Sequence, residues 1–244
     1  MSPATYSKDL NRISKGISNR KGNGSRRQDG FTLIELLAVI AIIALLAGIV
    51  LSTAGIATFK SRESRMRAEH GKVLTAIESY KLELGTYPPD NQTTGTLDRY
   101  ERAGKNSLYY ELSGCTFKND GGGTFVTQNQ QEEIRSAELR SAFGVNGVDN
   151  SARNKKDVPY RGVSFRSSQI GELADYNDAE VLIVPLPGPH QLKKKAPAGS
   201  TATPMLNPFF YDASSTNRNN ADTFDLWTEY TTRDGTKVIG NWKN

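Results

Sequence analysis

The alternation of apolar and polar positions divides the chain into three regions. Residues 1–30 are polar, basic and rich in Ser, Asn and Gly, a composition that buries too little apolar surface to fold. From Phe31 to Phe59 the pattern inverts, and Glu35 is the only charged residue. A bilayer core needs about 20 apolar residues in a helix, so this stretch predicts a membrane-spanning segment. The alternative is a buried soluble helix, which rarely stays apolar on every face for such a length. From Lys60 onward charges return, yet Met66, Val73, Ile77, Tyr80 and Leu84 keep an apolar stripe, the last four at helical spacing. Gly85 and then Pro88-Pro89 supply a C-cap and a stop. One helix over 31–84 would be roughly 80 Å long, apolar all round in its first half and amphipathic in its second.

Residues 86–244 are of a length that fits one domain, which would cover the amphipathic face. The stretch 90–130 reads as loop-rich, with a turn at Asn119-Asp120-Gly121. A short helix is expected at 131–142. Strands are expected at 160–166 and 179–184, and two more at Phe209-Phe210-Tyr211 and from Phe224 to Thr231, around an Asn-rich turn at 216–220. Pro185, Pro187, Pro189 and Lys193-Lys194-Lys195 mark an exposed loop, whose lysines read as a solvated tip. The aromatic cluster Trp227, Tyr230 and Trp242 reads as core rather than as a ligand platform.

Charge changes this picture little. The net +5 resides in residues 1–30, which hold seven bases and two acids; the rest of the chain is neutral. The basic pI therefore describes a tail and gives no nucleic-acid-binding face. Cys115, the one cysteine, forms no intramolecular disulfide and no Cys-cluster zinc site. His70 and His190 lack the two-His spacing of a zinc hydrolase, and no phosphate-binding glycine loop or nucleophile elbow is present. No catalytic residue, metal ligand or cofactor is expected.

The chemistry concentrates at residues 26–36, Arg-Arg-Gln-Asp-Gly-Phe-Thr-Leu-Ile-Glu-Leu. A carboxylate inside a membrane helix costs up to about 2.5–3.5 kcal/mol, less toward the helix end. Cutting the chain after Gly30 would create a partner for it, the α-amine of Phe31, which is positive near neutral pH. Within one helix that amine and Glu35 lie about a turn apart. Between staggered helices of a filament, the amine of one subunit would reach Glu35 of its neighbour. The bland reading of Glu35 is a carboxylate near a helix N-terminus, favoured by the helix dipole. Ala44, Gly48 and Ser52 form a small-residue ridge that would let such helices pack closely, though small residues are common in any spanning helix.

Gly30-Phe31-Thr32-Leu33-Ile34-Glu35, behind a basic leader and ahead of an apolar helix, resembles the processing motif of type IV prepilins and type II secretion pseudopilins. The resemblance implies cleavage between Gly30 and Phe31 by prepilin peptidase, N-methylation of Phe31, and an assembly role for Glu35. Residues Ala76 to Pro88 resemble the end of the long helix of the major pseudopilin. Asn207 to Tyr211, Thr223 to Trp227 and Asp234-Gly235 through Ile239 to Trp242 resemble its C-terminal strands. Residues 90–200 match nothing in that family.

Three departures qualify the resemblance. A proline common in the family's apolar helix is absent from Val50-Leu51-Ser52-Thr53. The family's calcium loop is reduced to Thr232-Arg233-Asp234-Gly235-Thr236-Lys237. One carboxylate between two bases is a poor match for a cation that takes about 6–8 oxygen ligands, so calcium near Asp234 is unsupported. Cys115 alone excludes the disulfide loop of many type IV pilins, which favours pseudopilin.

The expectation is thus an α+β, pilin-like subunit. Residues 1–30 are a leader, 31–59 the transmembrane and assembly half of the helix, 60–85 its amphipathic half, and 86–244 a periplasmic domain with an antiparallel sheet. The expected partners are prepilin peptidase, identical or related pseudopilin subunits and an inner-membrane assembly platform, with no nucleic acid. The expected function is a type II secretion pseudopilus that drives protein export, from a single-pass inner-membrane precursor. Bases flank the apolar stretch on both sides, so the orientation rests on the resemblance. The alternative is a type IV pilin or minor pilin for adhesion, motility or DNA uptake. A long Sec signal cut near Ala54-Gly55-Ile56-Ala57 is a third reading, opposed by Glu35 and by the stripe that continues to Leu84.

Overall fold

The computed structural model describes residues 30–93, 97–129, 132–151, 162–176 and 179–242, and only the helical backbone of 50–57. Of the expected leader, residues 1–30, all but Gly30 lie outside the described residues, as does the side chain of Ser52. The chain divides into two compact units, one ending at Thr53 and one beginning at Ala54.

Helix α1 runs Leu33–Leu84. In the second unit it buries Met66, His70, Val73, Ile77 and Tyr80, none more than 6% exposed. This is the expected stripe with one addition, since His70 lies four residues after Met66 on the same face. Leu84 ends the stripe half-buried. Gly85 terminates the helix with φ +82°, donating its N–H to the Lys81 carbonyl at 2.7 Å, as a glycine C-cap does.

The stretch expected to be loop-rich holds more structure than its composition suggests. Helices α2 (Arg99–Gly104) and α3 (Leu108–Ser113) are six residues each. They are too short for a helical period, and α3 is buried throughout, so no polar face alternates with an apolar one. Asp98 caps α2 by accepting the Glu101 N–H at 2.7 Å. Strands β1 (Cys115–Lys118) and β2 (Thr124–Thr127) form an antiparallel hairpin around the expected turn at Asn119-Asp120-Gly121. Strand β3 (Glu133–Arg135) adds to β2. The helix expected at 131–142 is α4 (Ser136–Phe143), later and shorter because β3 takes its first residues. It ends at Gly144, φ +67°, where a Cβ would collide with the backbone of Gln92 and Thr93.

The rest of the second unit is antiparallel sheet. Strands β4 (Ile170–Glu172), β5 (Glu180–Val184), β6 (Leu192–Lys193) and β7 (Met205–Pro208) form a sheet in the order β4-β5-β7-β6. Strands β8 (Phe210–Asp212), β9 (Asp225–Thr232) and β10 (Gly235–Gly240) form a second, in the order β10-β9-β8. The strands expected at 179–184, 209–211 and 224–231 are therefore present, with bounds shifted by a residue. The strand expected at 160–166 is not: residues 162–166 are described and pair with no strand. The Val163 N–H instead meets the Leu112 carbonyl at 2.7 Å, so this segment follows the end of α3 rather than a sheet.

One apolar core joins the α1 stripe to α3, α4 and the sheets, with Tyr80, Tyr110, Phe143 and Tyr211 among its fully buried side chains. Tyr230 belongs to it, whereas Trp227 packs with Ala103, Phe210 and Trp242 in a smaller cluster. Two buried carboxylates tie elements together. Glu111 on α3 accepts the Tyr80 hydroxyl at 2.8 Å and the N–H groups of Asp149 (2.8 Å) and Asn150 (3.3 Å). Burial pushes its carboxyl up to about 7, against the pull of those donors. Asp225 accepts backbone and side-chain N–H groups of Asn219 and Asn220, at 2.7–3.1 Å, and meets the Arg99 guanidinium at 3.3 Å. It fixes the Asn-rich turn that was legible from composition alone.

Among the described residues, no helix is long and apolar enough to cross a membrane. This corrects the expected membrane-spanning first half of the helix. Glu35 stands in the first turn of α1, and a carboxylate is costly inside hydrocarbon. The single-pass inner-membrane placement, with its periplasmic domain, lapses with the same finding.

Candidate functional site

The first turn of α1 is built by Thr32 and Glu35. The Glu35 carboxylate accepts the Thr32 backbone N–H and the Thr32 hydroxyl, each at 2.8 Å through Oε2. In return the Glu35 N–H reaches Thr32 Oγ1 at 3.3 Å. The Leu36 N–H closes the turn on the Thr32 carbonyl at 3.1 Å. This is a reciprocal capping box, in which two N–H groups without an intrahelical partner are satisfied by side chains three residues apart. The two donors from Thr32, backbone first, hold the Glu35 carboxyl below the usual carboxylate range. Thr32 is the residue that a reading of Glu35 as an isolated charge misses. Its signal is in the sequence, as a Thr-x-x-Glu spacing ahead of an apolar run.

Gly30 and Phe31 precede this cap in an exposed, non-helical segment. Among the described residues, a Cβ built on Gly30 meets nothing within 4 Å, so none of their packing requires glycine there. Phe31 is 84% exposed. Beyond the cap, Leu33, Ile34, Leu36, Leu37, Val39 and Ile40 are all exposed, and the apolar side chains continue so to Ile49. Ala44 and Gly48 are exposed on the same helix. The cap thus opens a helix that presents apolar surface on every face, far beyond the scattered apolar residues of an ordinary soluble surface.

The other sequence-derived candidates lie in the second unit. Cys115 is buried and reduced. His70 donates Nε2–H to the Leu226 carbonyl at 3.0 Å, and burial holds its imidazole below the ordinary range. Asp234 is exposed in the β9–β10 turn, its N–H on Thr232 Oγ1 at 3.2 Å. Among the described residues, no group of three or more His, Cys, Asp or Glu side chains stands where it could hold a metal ion. Lys193, Lys194 and Lys195 are exposed, and Lys195 pairs with Glu172 at 3.1 Å.

The family described as the prokaryotic N-terminal methylation motif matches residues 25–51. A fimbrial protein of Neisseria meningitidis serogroup A is 31% identical over 114 residues, 46% of this chain and 64% of that protein. The type IV major pilin protein PilE of Neisseria gonorrhoeae is 38% identical over 80 residues, 32% of this chain and 47% of that protein. The type IV major fimbrial protein FimA of Dichelobacter nodosus is 45% identical over 56 residues, 23% of this chain and 36% of that protein. The chain covers less than two thirds of each of these relatives. No solved structure matches it.

Proposed function

We propose, on a motif and relatives that support a place for this chain in the broad type IV pilin and fimbrial family, that it is a filament-forming structural subunit. It is not an enzyme; its relatives are fimbrial proteins and pilins. A prepilin peptidase cuts between Gly30 and Phe31, the new Phe31 amine is methylated, and mature subunits polymerise with identical or related copies through the apolar half of α1. Glu35 offers its carboxylate to the Phe31 amine of a neighbouring subunit. Ala44, Gly48 and Ser52 provide the ridge along which helices approach.

The observation that carries this reading is the all-round exposure of apolar side chains from Leu33 to Ile49 directly behind the Thr32–Glu35 cap. Covering that surface with identical helices removes it from water at about 25 cal/mol per Å², and a repeated head-to-tail contact that does not close generates a filament. The test is the intact mass and N-terminal residue of the mature protein in its native host. A start at N-methylated Phe31 is expected; a start beyond residue 50 would indicate a Sec signal and overturn the proposal.

The finer assignment is a type IV pilin or fimbrial subunit, supported by the relatives. A type II secretion pseudopilin is the second reading. The C-terminal strand residues Asn207 to Tyr211 and Thr223 to Trp227, and the lone Cys115, favour it. Deleting the gene separates them: loss of surface filaments supports the pilin, and loss of protein export with filaments retained supports the pseudopilin.

A further inference from the structure

A cleft of about 400 Å³ opens between α2, the turn at 173–176 and the segment 189–193. That volume falls in the range of about 300–1,000 Å³ typical of small-molecule sites. Its wall carries a stacked aromatic pair, Tyr100 and His190, with centroids 3.7 Å apart and planes 13° from parallel. Tyr100 is braced from behind by edge contacts to Phe210 (5.9 Å) and Trp227 (6.3 Å), yet keeps 37% of its surface exposed.

The chemistry of the wall narrows the ligand. The cleft is not lined as a lipid pocket, because Asp98, Glu101, Asp175 and Gln191 contribute to it. It is not prepared for phosphate. Lys105 is committed to Glu101 at 2.6 Å and stands over the Tyr176 ring at 5.1 Å, which leaves Lys193 as the remaining cation of the wall. Nor is it an ammonium cage, since the Tyr176 face already holds a cation. Among the described residues, exposed Asp175 and half-buried Gln191 make no side-chain hydrogen bond to another protein group. A carboxylate and an amide, each with two polar atoms, match the adjacent hydroxyls of a sugar, and an aromatic pair matches its C–H face.

We propose that this cleft binds carbohydrate, in the form of one or two neutral pyranose rings. The sugar packs against the Tyr100–His190 pair and hydrogen-bonds to Asp175 and Gln191. The site lies wholly within the second unit and does not depend on filament assembly.

The test uses the full chain, kept soluble in a polyoxyethylene detergent that has no sugar headgroup. It is titrated with lactose, cellobiose and N,N′-diacetylchitobiose, and in parallel with glycine betaine and inorganic phosphate, by NMR chemical-shift perturbation. Saturable millimolar binding of at least one disaccharide is expected, with shifts at Tyr100 and His190. Binding should weaken at least tenfold in Gln191→Ala and in Asp175→Ala, which alter side chains that no described contact uses, and in Tyr100→Ala. No saturation by any of the three sugars up to 50 mM (about 2 kcal/mol of binding) would overturn the proposal. So would sugar binding that both Gln191→Ala and Asp175→Ala leave unchanged, or saturation by betaine or phosphate alone.

Discussion

The Glu35 carboxylate binds Thr32 twice within its own chain, taking the backbone N–H and the hydroxyl at 2.8 Å each through Oε2. The residue offered here as a partner for a neighbouring subunit therefore already has local work, as the cap of its own helix. Oε1 takes part in neither bond, so a carboxylate can serve the cap and meet an amine at once. A neutral amide in the same place can serve the cap but brings no charge.

That distinction gives the first prediction. Glu35→Gln keeps an oxygen for Thr32, whereas Glu35→Ala loses cap and charge together. If the neighbour's Phe31 amine needs the charge, both variants lose at least tenfold in sheared-filament yield at matched subunit levels. Wild-type yield from Glu35→Gln would reduce Glu35 to a cap.

Gly30→Leu should leave a precursor that keeps residues 1–30 and assembles no filaments. Among the described residues, nothing lies within 4 Å of a Cβ there, so a processing defect would reflect the peptidase and not a misfolded substrate. An immunoblot of precursor and mature forms reads the outcome, and normal processing would contradict it.

Glu111 should make the domain less stable as pH rises. Its folded-state pKa, about 7, lies above the 4.5 of an unperturbed carboxyl, so the folded state holds the proton more tightly. The resulting stability is fully present below pH 4.5 and is lost as pH rises through 7, amounting to about 3 kcal/mol by linkage. Glu111→Gln should flatten this slope in guanidinium unfolding curves at pH 5 and pH 8. Equal slopes in wild type and variant would sink the assignment.

His70 should act at the other end. Its folded-state pKa is depressed by burial, so below the unperturbed value of 6.5 the unfolded chain takes up a proton first and stability falls with pH. Replacing His70 with Gln, which retains a donor toward the Leu226 carbonyl, should remove that acid-side loss. Thermal melts between pH 4.5 and 6.5 measure it, and a wild-type loss that persists in the variant would assign it elsewhere.

Asp225→Ala should destabilise the domain by about 1–3 kcal/mol, the cost of leaving buried hydrogen-bond donors without an acceptor. The change strands the N–H donors of Asn219 and Asn220, whereas Arg99, 37% exposed, keeps its contact with Asp212 at 3.4 Å. A denaturant midpoint close to wild type would show that water replaces the carboxylate in this turn.

Much of this protein was set by the sequence alone, wherever the signal is local. The α1 stripe was legible because Met66, Val73, Ile77 and Tyr80 repeat at the helical period, and its end because Gly85 caps and Pro88 follows. Strands β5 and β9 were legible from their own runs of apolar and β-branched residues. The Gly30–Phe31 motif, likewise, is a matter of fixed offsets along one chain. Tertiary structure decided the rest, where a residue's role depends on a distant partner. His70 joined the core because the Leu226 carbonyl, 156 positions away, accepts its ring N–H. Helix α3 formed without a polar face because Tyr80 and the Asp149–Asn150 turn supply the donors for its buried Glu111. Residues 162–166 look like a strand, but Val163 pairs with the Leu112 carbonyl at the end of a helix, and no periodicity reports a hydrogen bond of that kind. The Tyr100–His190 pair joins residues 90 positions apart, brought together only once α2 and the chain entering β6 pack side by side.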